Sequence, residues 1–147
     1  ICSLIVQGLL VKPAVRILKE RRALAVGLTC GALGFTIYGF APTGLVFGIG
    51  VPVMALWGIA TPSLQAMMTQ LVDPTEQGRL QGALASLMGM ASLIGPTAFT
   101  QTFAAFISTR AAWHLPGAPY LLAALLLLMA MLWAWRTTRP GPIALAE

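Results

Sequence analysis

The chain has 147 residues, of which 58% are hydrophobic and only 9% are charged. Soluble domains carry about 25% charged residues, so thirteen charged side chains could not cover the surface of a water-soluble fold of this size. This composition excludes a soluble enzyme and a disordered protein, and it indicates that most of the outer surface contacts lipid. The net charge of +5 does not indicate nucleic-acid binding, because the basic residues lie between long apolar runs rather than on one groove-facing element.

Long uncharged runs predict five membrane-crossing helices, the first of them incomplete. A helix needs about 20 apolar residues to cross the hydrocarbon core, so the 50 uncharged residues between Arg22 and Asp73 hold two crossings, divided at a Pro/Gly turn at 41–44. No alternating segments of about ten residues occur, which favours helices over barrel strands. The predicted all-α integral membrane region is 1–136, with helices at about 1–11, 23–40, 45–72, 80–108 and 120–135, followed by a tail at 137–147.

The basic residues of the predicted loops fall almost entirely on one side of the membrane. The other side carries only Arg110 and the neutral His114. Because cytoplasmic loops are enriched in Lys and Arg, the basic side and the C-terminal tail are predicted to be cytoplasmic. The eight residues of that side are Lys12, Arg16, Lys19, Arg21, Arg22, Arg79, Arg136 and Arg139.

The sequence also indicates a longer protein. It begins inside an apolar run at Ile1, without the basic region and cleavage site of a signal peptide. We therefore expect a C-terminal part of a membrane protein whose N-terminal helices precede this residue. No acidic residue lies inside a predicted crossing, so any proton-carrying carboxylate is expected in that preceding part.

The basic loop at 12–22 has two interpretations. The positive-inside rule alone accounts for its charge. Alternatively, the loop is a cytoplasmic latch, because Arg16 and Glu20 are four residues apart and share a face if the segment is helical. In that case Glu20 could hold the end of a neighbouring helix. Arg21 and Arg22 are the last basic residues of the segment.

Small residues and prolines predict how the helices pack and bend. Small residues at four-residue spacing let helix backbones approach in lipid, and helix sliding during a conformational cycle is a further possibility. Prolines 52, 62 and 96 are expected to interrupt helices, and the pair Gly95–Pro96 to kink the fourth helix. Broken helices near the midplane are common in transporters. The spaced small residues are Gly27 and Gly31, Gly44 and Gly48, and Gly78, Gly82 and Ser86.

Two amides, Gln65 and Gln101, are the most informative polar residues of the predicted crossings. An amide at membrane depth needs hydrogen-bond partners or a water-filled cavity. Interhelical hydrogen bonds alone would satisfy them, whereas a cavity lined by amides, Met and aromatic rings suits a bulky amphipathic organic ligand. The cavity candidates are Gln7, Met54, Trp57, Thr61, Gln65, Thr97, Gln101 and Phe103.

The sequence contains no catalytic constellation. It has no paired carboxylates, nucleophile triad or phosphate-binding loop, and Cys2 and Cys30 stand alone in apolar segments. Neither a disulfide framework nor a Cys/His metal site has support. We expect no catalytic residue, no metal and no cofactor.

Several segments of the sequence resemble motifs of one protein family. Residues 62–68, followed by Val72-Asp73-Pro74-Thr75-Glu76-Gln77-Gly78-Arg79-Leu80-Gln81-Gly82, resemble the tenth helix and the following cytoplasmic loop of tetracycline efflux antiporters of the major facilitator superfamily. Ile94-Gly95-Pro96 and Phe99-Thr100 resemble the eleventh helix of that family. Glu20-Arg21-Arg22-Ala23-Leu24 resembles the loop between its helices eight and nine.

The resemblance implies the end of helix eight through helix twelve of a twelve-helix transporter of the bacterial inner membrane. It further implies exchange of a drug for an inward-moving proton by alternating access, with the N-terminal half as partner. Gln7 corresponds to a family Gln linked to substrate handling, but Ser3 stands where tetracycline exporters typically have His, and Lys19 where they have Gly. The substrate therefore stays open, and a metabolite transporter of the same fold or a structural, nonfunctional membrane fragment are the alternatives.

Overall fold

The computed structural model describes residues 11–107 and 115–138, with side chains from residue 20 onward. All regular structure in these ranges is helical. The elements are α1 (Val11–Phe40), α2 (Gly44–Ala55), a 3-10 turn (Leu56–Ile59), α3 (Ala60–Gln70), α4 (Gln77–Ile107) and α5 (Ala118–Thr137).

Four helical stretches are long and apolar enough to cross a membrane, which confirms the predicted all-α membrane fold. The observed ends lie within a few residues of the predicted crossings. The expected partial crossing at 1–11 lies outside the described residues, apart from Val11. The four stretches are Glu20–Phe40, Gly44–Gln70, Gln77–Ile107 and Ala118–Thr137.

The basic segment at 12–22 is helical as part of α1, so its prediction as a loop is wrong, while its place between two membrane crossings stays a prediction. Pro13 lies within α1 as the structure describes it, Val11–Phe40. The Arg, Leu, Lys and Glu residues that follow are good helix formers. The side chain of Arg16 lies outside the described residues, so its expected pairing with Glu20 stays a prediction.

Only one of the three prolines coincides with a break in its helix. Pro62 follows the 3-10 turn, and α-helical hydrogen bonding would require its absent N–H to donate to the carbonyl of Gly58. A tighter 3-10 turn before the proline avoids that unmade bond. Pro52 and Pro96 lie inside helices that continue through them, and the expected kink at Gly95–Pro96 stays a prediction.

Helix α1 is the centre of the described fold, because it packs against α5 and against the whole crossing at 44–70. Glycines allow this approach. A Cβ on Gly27 would lie 2.8 Å from the backbone nitrogen of Ala60, and one on Gly31 would lie 2.9 Å from the Trp57 ring. These two predicted packing glycines therefore form a close helix contact.

Helix α4 stands apart from this packed group. It packs chiefly against α5, and none of its residues is buried. A Cβ built on Gly78, Gly82 or Gly95 would meet nothing within 4 Å, and the same holds for Gly44 and Gly48. The described residues therefore provide no packing partner for these glycines.

Candidate functional site

A cleft of about 390 Å³ lies between α1 and the crossing at 44–70. The 3-10 turn places Trp57 and Gly58 in its wall, and α3 adds Thr61 from the next turn. Four further lining residues are Tyr38, Val51, Met54 and Ala55. The cleft is thus built at the one point where a described crossing departs from α-helical geometry.

The break also places Gly58, which has no side chain, in the cleft wall. Because Pro62 has no N–H, the Gly58 carbonyl cannot accept the usual bond from the residue four positions later. In a 3-10 turn such a carbonyl can accept from the N–H three residues later instead. The cleft lining therefore combines the backbone of Gly58 and the exposed Thr61 with the apolar surfaces of Trp57 and Met54.

Five aromatic rings adjoin the cleft and hold its wall in place. Phe35 makes edge contacts with Trp57, at a centroid separation of 5.8 Å, and with Tyr38, at 6.4 Å. Tyr38 stacks on Phe47 at 4.0 Å and meets Tyr120 at 5.9 Å. Such pairs contribute about 0.5–1.5 kcal/mol each beyond their buried area. The cluster therefore joins α1, α2, the 3-10 turn and α5 around one side of the cleft.

The structure brings together only some of the predicted cavity residues. Met54, Trp57 and Thr61 share the cleft. Gln65 is exposed one turn further along α3. Gln7 lies outside the described residues.

The predicted residues of α4 are not gathered at this cleft. Thr97 and Gln101 are both exposed and lie four residues apart, hence on one helix face. Phe103 comes two residues after Gln101 and therefore lies about 200° around the helix. Because α4 packs chiefly against α5, the described residues do not join this group to Met54, Trp57 and Thr61.

Sequence reasoning missed the contribution of α1 to the cleft. Tyr38 lines it, and Phe35 supports both Tyr38 and Trp57. The spacing of Phe35 and Tyr38, three residues apart on a predicted helix, marks a shared face. It could not indicate which neighbouring helix that face meets.

A polar cluster connects α1 to α3 and α5 at the end of the packed group away from the cleft. Gln70 Nε2 donates a 2.8 Å hydrogen bond to Glu20 Oε1. Arg21 Nη2 donates to the Trp135 carbonyl at 2.8 Å, and its Nε donates to Thr138 Oγ1 at 3.2 Å. The guanidinium also lies 4.4 Å from the centroid of the Trp135 ring. Glu20 thus holds the end of α3, and Arg21 holds the end of α5.

The described residues contain no group of three or more His, Cys, Asp or Glu side chains that could hold a metal ion. Cys30 is a free, half-buried cysteine on α1.

Comparison with known proteins relates the sequence to antibiotic resistance proteins. The chain is 38% identical over 118 residues to the class C tetracycline resistance protein of Escherichia coli, covering 78% of this chain and 30% of that protein. It is 36% identical over 128 residues to the class G protein of Vibrio anguillarum, covering 86% of this chain and 31% of that protein. The chain thus spans less than a third of the length of these relatives.

A further similarity is to the proton-coupled folate transporter of Bos taurus, at 36% identity over 104 residues, covering 69% of this chain and 21% of that protein. No protein-family model matches the chain. No solved structure matches it.

Proposed function

Because the chain is related in sequence to the tetracycline resistance proteins of the major facilitator superfamily, we propose that it works as part of a drug exporter. The complete protein would move a drug-like amphipathic organic compound, with tetracycline-type compounds as first candidates, out of the cell in exchange for protons. The observation that carries this proposal is the similarity to class C and class G tetracycline resistance proteins over most of the chain.

The chemistry of the cleft supports an amphipathic substrate. Trp57 presents a large flat surface, and Met54 supplies a flexible, polarizable side chain that adapts to ligands of different shape. Thr61 and the backbone of Gly58 provide the few polar groups that would fix a ligand's orientation. We place substrate contact here, with Gln65 at its edge, and keep Gln7, Thr97, Gln101 and Phe103 as contacts expected only in the complete protein.

The proton-carrying group is assigned to the part of the protein outside this chain. The described membrane-capable stretches contain one carboxylate, Glu20, which lies at the end of its stretch and accepts a hydrogen bond from Gln70. A proton site in a transporter needs a titratable group within the membrane. That group, and half of the substrate site, would come from the N-terminal half, because transporter sites lie between two repeats.

The proposed arrangement is a multi-pass protein of the bacterial inner membrane with residues 1–136 crossing the bilayer and residues 137–147 as a cytoplasmic tail. The Arg21, Arg22 and Arg136 end of the described helices then faces the cytoplasm, as the positive-inside rule requires. The cleft beside Tyr38 lies toward the opposite membrane surface.

Transport into everted membrane vesicles containing the complete protein tests the proposal. We expect energised vesicles to accumulate labelled tetracycline and an uncoupler to abolish this accumulation. Thr61→Val should weaken uptake by removing one hydroxyl, whereas Thr36→Val is the matched control, because the Thr36 hydroxyl already bonds to the Ala32 carbonyl of its own helix. Accumulation that survives the uncoupler would contradict proton exchange.

The same vesicles separate the alternatives. Uptake of a metabolite without uptake of tetracycline would indicate a metabolite transporter of this fold. Absence of all uptake by the complete, correctly inserted protein would indicate a structural or nonfunctional membrane protein.

A further inference from the structure

A second groove, separate from the cleft, runs between α1 and α5 at the arginine-rich end of the molecule. It has a volume of about 390 Å³ and an almost wholly apolar lining. Its α1 wall consists of residues spaced three and four apart, hence on one helix face, and spans about 12 Å from Arg22 to Cys30 at 1.5 Å per residue. The lining residues are Arg22, Ala25, Val26, Thr29, Cys30 and Trp135.

The groove has a cation at one end and apolar groups along its length. Arg22 is exposed and has no hydrogen bond or ion pair within the described part of the chain. Thr29 contributes no spare donor, because its hydroxyl bonds to the Ala25 carbonyl at 2.7 Å. The nearest carboxylate in sequence, Glu20, lies about 200° around α1 from Arg22 and is bonded to Gln70. Nothing among these residues neutralises the Arg22 charge.

Trp135 forms the α5 wall of the groove, and Arg21 holds it there. The Arg21 guanidinium stacks 4.4 Å from the indole centroid and also hydrogen-bonds the Trp135 backbone carbonyl. The two neighbouring arginines therefore differ in their contacts. Arg21 bonds to groups of the protein, whereas the Arg22 charge is free to bind a ligand at the depth where Trp rings meet lipid headgroups.

We propose that this groove binds an anionic phospholipid from the leaflet at the arginine-rich end. The phosphate would lie against Arg22, and an acyl chain would run beside Val26 toward Cys30. Charge complementarity favours an anionic lipid, because basic pockets between transmembrane helices attract anionic headgroups. The apolar part of the groove beyond Arg22 suits an acyl chain better than a soluble anion. The proposal requires only membrane insertion and does not rest on drug export.

Quenching of Trp135 fluorescence by brominated lipid tests this site directly. The complete protein, with Trp135 as its sole tryptophan, is placed in phosphatidylcholine bilayers containing increasing amounts of brominated phosphatidylglycerol. We expect quenching at lower phosphatidylglycerol content than random mixing would give. A matched variant with Trp133 as sole tryptophan should show no such preference, because Trp133 is 75% exposed and lies outside the groove.

Charge variants identify the headgroup contact. Arg22→Gln should weaken the phosphatidylglycerol preference about five-fold, the equivalent of one basic residue near a membrane surface, and Arg22→Lys should keep most of it. Arg79→Gln is the matched control, because it removes the same charge from an exposed site on α4 away from the groove. If Arg22→Gln and Arg79→Gln lose the phosphatidylglycerol preference equally, general surface charge explains the preference and the proposed site is wrong.

Native mass spectrometry of the protein with all its tryptophans provides a second readout that does not depend on Trp replacements. We expect retained phosphatidylglycerol in the unaltered protein and in Arg79→Gln, and about five-fold less of it in Arg22→Gln. Absence of quenching at Trp135 with every brominated lipid would mean that another part of the polypeptide fills the groove, which would also overturn the proposal.

Discussion

Arg21 on α1 and Trp135 on α5 are joined twice, by a 2.8 Å hydrogen bond to the Trp135 carbonyl and by the guanidinium lying over the Trp135 ring. The carbonyl is one of the last four of α5, which have no partner within their own helix. A cation at this end also opposes the negative end of the helix dipole. One side chain therefore caps α5 and fixes its position beside α1.

Loss of Arg21 should destabilise the protein, while loss of the neighbouring Arg22 should not. Arg21→Ala removes two hydrogen bonds and a cation–π contact, for an expected cost of about 1–3 kcal/mol in the free energy of unfolding. Arg22→Ala removes the same charge without a protein partner. Thermal unfolding of both variants in phosphatidylcholine nanodiscs measures the difference. Equal melting temperatures would contradict a capping role for Arg21.

Gly27 should tolerate no side chain. A Cβ there would lie 2.8 Å from the backbone nitrogen of Ala60, and backbone atoms cannot move aside as the end of a long side chain can. We expect Gly27→Ala to cost about 1–3 kcal/mol, the usual range for overpacking, and to separate α1 from α3.

Gly48→Ala is the matched control for Gly27→Ala, since it lies in the next crossing with nothing within 4 Å of its added Cβ. Alanine is favoured over glycine in a helix by about 0.5–1 kcal/mol, so this change should be neutral or stabilising. Chemical denaturation in mild detergent compares the two variants. A Gly27→Ala variant as stable as Gly48→Ala would disprove the close contact.

Pro62 should matter for transport more than for stability. Pro62→Ala restores the N–H that can bond to the Gly58 carbonyl and allows α2 and α3 to join as one helix. We expect a protein at least as stable, with Trp57 and Thr61 turned relative to the cleft and transport strongly reduced.

Pro52→Ala serves as the control for Pro62→Ala, because α2 already continues through Pro52. Uptake into everted vesicles, together with unfolding temperature, separates the two effects. Full transport by Pro62→Ala would show that the break is dispensable.

The sequence predicted the four long apolar helices well, because the physical signal for them is strong. Lipid satisfies no backbone hydrogen bonds, so each uncharged run of sufficient length must be a helix. The sequence alone could not show which of Pro52, Pro62 and Pro96 coincides with a break in its helix. Whether a helix continues through a proline depends on neighbours that re-satisfy the freed carbonyl. The helical segment at 12–22 was missed because topology rules locate charge outside the membrane without specifying its backbone.

The candidate site shows the same division. Met54, Trp57 and Thr61 could be grouped from their spacing on one crossing, because helical geometry places them on neighbouring turns. The contribution of Tyr38 could not be predicted from spacing, since it depends on which face of α1 meets α2. Thr97 and Gln101 were grouped with them by chemical type alone, and chemical type does not report the packing of α4.

Trp57 should determine which compounds are transported. It is 38% exposed and forms a wall of the cleft, with its edge held by Phe35. Trp57→Phe keeps an aromatic ring beside Phe35 but shortens the wall, so we expect a raised KM for large polycyclic drugs with little change in unfolding temperature. Trp133→Phe is the matched control, because Trp133 is more exposed and lies away from the cleft. Competition assays with drugs of graded size measure the shift. An unchanged order of drug preference in Trp57→Phe would remove this residue from the substrate site.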